Sequence, residues 1–332
     1  MLISYLLFAY NQERYVETAL RSALSQTYEP LEIIITDDCS ADGTAAVVER
    51  VLAEVGAGGN VRFRRHARNL GVAAAINAAV EEARGDVIVF AAGDDESLPG
   101  RSAIIAAAFA ADPELQCLSS NSEVVDENGT FLHRRHAEPP PERTLESFGE
   151  AEAGLLGATM AFRRSLFDRF GPLDPELQVE DRVIPLRAAL AGRIGYIHEP
   201  LVRYRDHGSN LWMGFARAAA GSWPDFARHL SRQNRMMRAV FQNRLRDLDT
   251  GLRLHPERRD AIRAVRRRNR RFLRYARAEE AMWAARGSLH RLAVTGQAFA
   301  GGMSPRAAWR WIKLFYLPDL YYRGIARGHA AR

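Results

Sequence analysis

The sequence predicts an α/β fold, a mostly parallel sheet flanked by helices, with a basic helical extension at its C-terminal end. Two observations predict it. Over the first hundred residues, short apolar and β-branched runs alternate with helix-length amphipathic stretches, the pattern of βαβ units. The charge then reverses along the chain: residues 1–212 carry 20 arginines against 32 acids, and residues 213–332 carry 26 cations against 8 acids. A boundary at 211/212 therefore divides an acidic body, 1–211, from a basic and mainly helical region, 212–332.

Leu2–Ala9 reads as an apolar strand. Glu13–Gln26 follows as a helix with Tyr15, Val16, Ala19, Leu20, Ala23 and Leu24 on one face. Leu31–Thr36 ("LEIIIT") is a second strand running into "DDCSADGT", and Thr44–Val55 a helix stopped by "GAGGN". Val61–His66, Val72–Ala83 and Val87–Ala92 continue the alternation as strand, helix and strand. Beyond this point the pattern loosens. "LQCLSS" (115–120) reads as a strand, and "EVVDENGTFLH" as a hairpin turning at Asn128–Gly129. "GLLGATMAFRR" (154–164) suggests a further strand, "EDRVIPLRAALAG" (180–192) a helix closed by glycine, and "IGYI" and "LVRYR" two last strands. From Trp212 onward the chain reads mainly as helix.

Several function classes fall away on composition. With 47% hydrophobic and 26% charged residues the chain is ordinary globular material. Lys313 is the single lysine among 46 cations, so neither a Walker A loop nor Schiff-base chemistry has its residue. "GAGGN" is not G-x-G-x-x-G and precedes a strand, which disfavours a dinucleotide fold. Cys39 and Cys117 have no metal-site spacing and suit a reducing compartment. The opening "MLISYLLFAYNQER" lacks a basic n-region and reads as a strand, no apolar stretch reaches membrane-span length, and the expected location is cytoplasmic.

The stretch "VIVFAAGDDESLP" (87–99) raises a chemical question. A strand buried on both faces ends abruptly in Gly93, Asp94, Asp95 and Glu96. Gly and Asp are ordinary turn residues, and an acid can cap the following helix. The alternative is a cation site at the carboxyl edge of the sheet, where open α/β folds hold their ligands.

Three separated stretches resemble the family-2 glycosyltransferases, inverting enzymes of the GT-A fold that use nucleotide-sugar donors. They are "ISYLLFAYNQERYVETALRSALSQTYEPLEIIITDDCSADGT", "RNLGVAAAINAAVEEARGDVIVFAAGDDESLP", and the segment from "GATMAFRR" through "GPLD" and "ED" to "YRDHGSN". Together they cover about residues 3–210, and the basic region lies outside them. The resemblance implies a site for a UDP- or dTDP-sugar and a divalent cation, Mn²⁺ or Mg²⁺, that neutralises the departing diphosphate. Asp94 matches the last acid of the family's DxD metal motif, and Ala92 stands where its first acid is expected. Asp38 matches the residue that accepts a hydrogen bond from the nucleobase imide, with an Asx-turn as its alternative. Ala9, Tyr10 and Asn11 are expected to line the donor pocket. Asp181 matches the catalytic base that takes the acceptor proton, although an acid there also suits a helix N-terminus. His207 matches a metal or diphosphate contact, while Asp95, Glu180 and Arg205 are expected to support the site.

The implied acceptor is a glycan or lipid-linked chain in bacterial surface polysaccharide synthesis. A nucleotidyltransferase would want a lysine- or glycine-rich phosphate loop. A binding protein built on a degenerate transferase domain stays open. In the basic region, the arginines of 258–277 and the aromatics of 309–323 (Trp309, Trp311, Phe315, Tyr316, Tyr321, Tyr322) suggest an anionic membrane surface as partner. Nucleic acid is disfavoured, because few aromatics interleave the arginine runs.

Overall fold

The structure, a computed structural model, describes residues 1–138, 140, 143–151, 153–207, 222–285, 288–300 and 311–316. The chain forms two compact units, one of residues 1–206 with 246–266 and the other of residues 207–245 with 267–332.

In the first unit β1 (Ile3–Ala9), α1 (Val16–Leu24), β2 (Leu31–Asp37), α2 (Thr44–Val55), β3 (Val61–Arg65), α3 (Val72–Glu82) and β4 (Val87–Ala92) alternate as the sequence suggests. These strands run parallel in the order β3-β2-β1-β4. Their ends are level: Ala9 stands opposite Asp37, Phe8 opposite Ala92, and Asp37 opposite Arg65. β1, β2 and β4 are buried on both faces almost throughout, which is why they read as continuous apolar runs rather than alternating ones. Val16, Ala19, Leu20 and Ala23 of α1 pack into the same core.

Further along, β5 (Glu96–Ser97), α4 (Arg101–Ala111), β6 (Leu115–Val125), β7 (Phe131–Arg134), α5 (Leu145–Phe148), β8 (Met160–Arg163), α6 (Ser165–Phe170), α7 (Ile184–Ala191) and β9 (Arg193–Arg205) complete the body. The full sheet is mixed: β8 is antiparallel to both β4 and β6, β9 is parallel to β6, and β5 is antiparallel to β9. Three local expectations change. Only Met160–Arg163 of the stretch 154–164 is strand, because Gly157–Thr159 forms a 3-10 turn and the Leu155 amide donates to the Asp181 carbonyl (3.0 Å) instead of to a sheet neighbour. The helix expected over 180–192 divides at Val183 into a 3-10 turn, Glu180–Arg182, and α7. "IGYI" and "LVRYR" are one thirteen-residue strand, β9, because the run pairs with β6 along its length through small register shifts.

The remaining described residues form α8 (Trp223–Leu254), α9 (Arg259–Ala284), α10 (Ser288–Ala300) and a π-helical turn, Ile312–Tyr316. The second unit has its own core of Phe226, Leu230, Met282, Val294, Ala298, Trp311, Leu314 and Phe315. Trp311 and Phe315 are thus buried, where the sequence suggested interfacial aromatics. Their rings pack edge-on with centroids 5.7 Å apart, which removes them from any surface role. Trp309, Tyr321 and Tyr322 lie outside the described residues. Among the described residues, no helix is long and apolar enough to cross a membrane.

Candidate active site

The level ends of β1, β2 and β4 put three loops along one edge of the sheet, and side chains lace them together. Asn11 leaves β1 in the left-handed region (φ 52°), a conformation asparagine tolerates better than most residues. Its amide donates to Ser40 Oγ (2.8 Å), and its Oδ1 accepts from the Ala41 amide (2.8 Å). The Asp38 amide donates to the Ala9 carbonyl (3.0 Å). Tyr10, at the tip of the β1 loop, is half-exposed.

The two acids of "TDDCS" have different tasks. Asp37 is fully buried, accepts from the Ser40 amide (3.2 Å) and hydroxyl, and is paired with Arg65 Nε (3.4 Å). The turn role that was the alternative for Asp38 therefore belongs to its neighbour. Asp38 instead spans loops: Oδ1 accepts from the Leu70 amide (2.7 Å) and Oδ2 from the Gly71 amide (2.9 Å), just ahead of α3. A carboxylate offers about four lone-pair sites, so each oxygen keeps one acceptor site in reserve.

β4 delivers Asp94 and Asp95 to the same edge. Gly93 lets the strand end pack closely on β1, since a Cβ would stand 3.1 Å from the Ala9 side chain and 3.2 Å from the Phe8 carbonyl. Asp94 is half-buried, whereas Asp95 is buried and accepts the Arg205 amide on Oδ1 (2.9 Å). Burial, reinforced by the Asp94 charge, raises the Asp95 carboxyl well above the ordinary carboxylate range. Arg205 then staples the region: Nε donates to the Asp94 carbonyl (3.0 Å), Nη1 donates to the Asp126 and Glu127 carbonyls (each 3.3 Å), and the guanidinium lies 5.1 Å from the Tyr15 ring centre.

Glu180 and Asp181 sit on the 3-10 turn ahead of α7. Asp181 is buried. Burial and the Asp181 charge push the Glu180 carboxyl up to about 8. Gly157 faces this pair closely, since a Cβ on it would lie 2.6 Å from Glu180 Oε1. The Gly157–Thr159 turn that faces this pair is tied back to β4 through Arg101, a fully buried residue at the start of α4. Its Nη2 donates to the Phe90 carbonyl (2.7 Å) and the Ala158 carbonyl (2.8 Å), and its Nη1 donates to Ser97 Oγ (2.8 Å). Sequence reasoning missed Arg101, since an arginine in a helix's first turn carries no mark of burial.

Among the described residues no group of three or more His, Cys, Asp or Glu side chains is arranged to hold a metal ion. The residues nevertheless fit a cation shared with a ligand. Asp94 offers a half-buried carboxylate at the mouth of the turn, and Mg²⁺ is often held by one or two carboxylates together with substrate phosphates. Ala92 supplies no oxygen from its side chain, and Asp95 is engaged with Arg205. His207 opens the second unit, two residues after β9.

The description "Glycosyl transferase family 2" matches residues 4–171, which is half of the chain. The chain belongs to glycosyl transferase family 2. It is similar to EpsH of Bacillus subtilis (strain 168), 29% identical over 218 residues, covering 63% of this chain and 62% of EpsH. It is also similar to the succinoglycan biosynthesis protein ExoO of Rhizobium meliloti (strain 1021), 32% identical over 220 residues, covering 62% of this chain and 60% of ExoO. The chain thus spans about three-fifths of the length of these relatives. Among solved structures, S. aureus TarS 1–349 in complex with UDP-GlcNAc superposes with a TM-score of 0.53 at 19% identity, covering 100% of this chain and 92% of that one. The mannosyltransferase PcManGT of Pyrobaculum calidifontis, in complex with GDP-Man and Mn²⁺, gives 0.50 at 19% identity, covering 99% and 86%. At such identities the likeness concerns the fold, which is of the GT-A type.

Proposed function

We propose that this family-2 glycosyltransferase moves a sugar, with inversion, from a UDP- or dTDP-sugar to a glycan or lipid-linked acceptor in bacterial surface polysaccharide synthesis, working at the cytoplasmic side of the membrane. The observation that carries the reading is the level ending of β1, β2 and β4, which aligns Asn11, Asp38 and Asp94 along one sheet edge. Ala9, Tyr10 and Asn11 would form the floor of the nucleotide pocket. Asp38, with acceptor sites left beyond the Leu70 and Gly71 amides, would take the imide N–H of uracil or thymine.

Asp94 would hold the divalent cation. When bound, that cation supplies charge neutralisation for the leaving diphosphate. Arg205 fixes the backbone on which Asp94 rides. Asp181 would accept the acceptor hydroxyl's proton as its oxygen attacks the anomeric carbon, while Glu180 stays protonated beside it. Two adjacent carboxyls that differ in protonation provide one base without doubling the negative charge where a nucleophile approaches. The biosynthetic role is supported by the likeness to ExoO, and the use of a nucleotide sugar by the complexes of TarS and PcManGT.

A thermal-shift panel of UDP-, dTDP- and GDP-sugars with and without Mn²⁺ tests the reading, since specific binding raises Tm by mass action. A UDP- or dTDP-sugar should stabilise the protein more with Mn²⁺ than without. Asp94→Asn should lose the metal-dependent part, while Asp181→Asn should keep donor binding and lose turnover by about 10²–10⁴-fold. A GDP-sugar preference, or an Asp94→Asn variant with unchanged metal-stimulated binding, overturns the assignment.

A further inference from the structure

Between Arg267 and Arg277 of α9 every exposed position is an arginine: Arg267, Arg270, Arg271, Arg274 and Arg277. At about 100° per residue these five fall within about a third of the helix circumference. The opposite side is buried through Asn269, Leu273 and Ala276, and Phe272 packs on Phe241 with ring centroids 5.3 Å apart. None of the five has an ion-pair or hydrogen-bond partner among the described residues. The only acids that follow on the helix are Glu279 and Glu280, and Glu280 is paired with Arg238 at 3.0 Å.

An ordinary solvated helix face mixes signs, with acids three or four residues from cations. Here Arg267 and Arg271, Arg270 and Arg274, and Arg274 and Arg277 are like-charge neighbours at those spacings, each of which weakens the helix. A stripe assembled against that cost is explained by an anionic surface that relieves it. The stripe carries no exposed ring to stack on bases. It is about 15 Å long at the helical rise and bordered by the half-buried rings of Phe272 and Tyr275. With the apolar side of the helix already buried in the protein, the stripe meets a surface through charge alone, and an anionic leaflet attracts each such cation by about 1 kcal/mol.

We infer that this arginine stripe is a docking face for an anionic membrane leaflet, holding the enzyme reversibly at the surface. The inference rests on the proposed lipid-linked acceptor only for the choice of surface. Its measurement does not involve sugar transfer.

The test is co-flotation of the full chain with vesicles of equal parts phosphatidylcholine and phosphatidylglycerol, against phosphatidylcholine alone and a duplex-DNA control. The protein should float with the anionic vesicles at low salt, leave them as salt rises, and ignore the neutral ones. Arg267→Gln, Arg271→Gln and Arg274→Gln together should weaken capture about 100-fold. The same three positions changed to Lys should keep capture, since the charge remains. These side chains are exposed, so Tm and nucleotide-sugar stabilisation should match the parent in both variants. Absence of flotation at low salt, equal capture of the Gln variant, or tighter binding to duplex DNA than to the anionic vesicles overturns the inference. Failure of the transferase reading is seen separately, as absence of nucleotide-sugar stabilisation without vesicles.

Discussion

Glu180 is the residue whose environment makes the sharpest demand on pH. Its carboxyl is raised from 4.5 to about 8, first by burial and then by the Asp181 charge. A carboxyl raised on folding binds its proton more tightly in the native state, so its contribution to stability falls as pH climbs from about 4.5 to about 8 and is fully lost above. Glu180→Gln keeps a neutral side chain of the same shape and does not titrate. Its Tm relative to the parent should therefore be nearly flat below pH 5, rise in its favour through pH 5–8, and level off beyond. In a unit the size of the first, each 1 kcal/mol appears as about 2–4 °C. Thermal melts of both proteins across pH 4.5–9 measure it, and a pH-independent difference would show that burial does not hold Glu180 neutral. At this scale the sequence was legible where chemistry and spacing coincide, as in the acids that end β2 and β4. It was silent on the division of labour between Asp37 and Asp38, because that depends on Leu70 and Gly71 arriving from another loop.

Elements were legible where the signal is local. β4 and α2 begin and end where the apolar run and its glycine stops put them. The stretch 154–164 was not, since "GLLGAT" is apolar enough for a strand while the Leu155 amide finds its partner at the Asp181 carbonyl, more than twenty residues away. Arg101 determines how that stretch is held. It donates from the start of α4 to the Phe90 carbonyl of β4, the Ala158 carbonyl of the 3-10 turn and Ser97 of β5, with no solvent exposure. Arg101→Met keeps much of the volume and strips this donor from the Phe90 and Ala158 carbonyls, while Ser97 Oγ still accepts from the Tyr5 hydroxyl. It should cost about 2–4 kcal/mol, since each buried acceptor stripped of its donor costs about 1–3 kcal/mol. Arg101→Lys should recover only part of this, because an ammonium cannot reproduce the planar fork. Urea denaturation with an unchanged m value would measure the loss. A loss under 1 kcal/mol in the Met variant would mean that other contacts hold the turn.

At the scale of the whole molecule the charge reversal near residue 212 marks a change in sequence character, and the compact first unit also includes residues 246–266. What that segment contributes is concrete. Asp247 accepts from Arg187 Nε (2.9 Å) with both side chains about 1% exposed. Arg187 also donates to the Gly171 carbonyl (2.7 Å) and lies 5.4 Å from the Phe167 ring centre. Arg258 donates to the Ala189 and Leu190 carbonyls at the end of α7 (each 3.0 Å). Because α7 directly follows the turn bearing Glu180 and Asp181, these contacts hold the far end of the helix that seats the proposed base. Removing one partner of a buried pair leaves an uncompensated charge, typically at a cost of 3–5 kcal/mol. Asp247→Ala should therefore lower stability by about that amount. The double variant Asp247→Leu with Arg187→Met should recover much of it, since apolar replacement of both partners removes the stranded charge. A chain ending at 211 loses Asp247 together with the segment packed on Leu190 of α7, which exposes apolar surface, and should be no more stable than Asp247→Ala. Chemical denaturation of the four proteins decides the matter. A chain ending at 211 that unfolds at the parent's midpoint would establish that residues 1–211 are sufficient and that the 246–266 segment only rests on a body already complete.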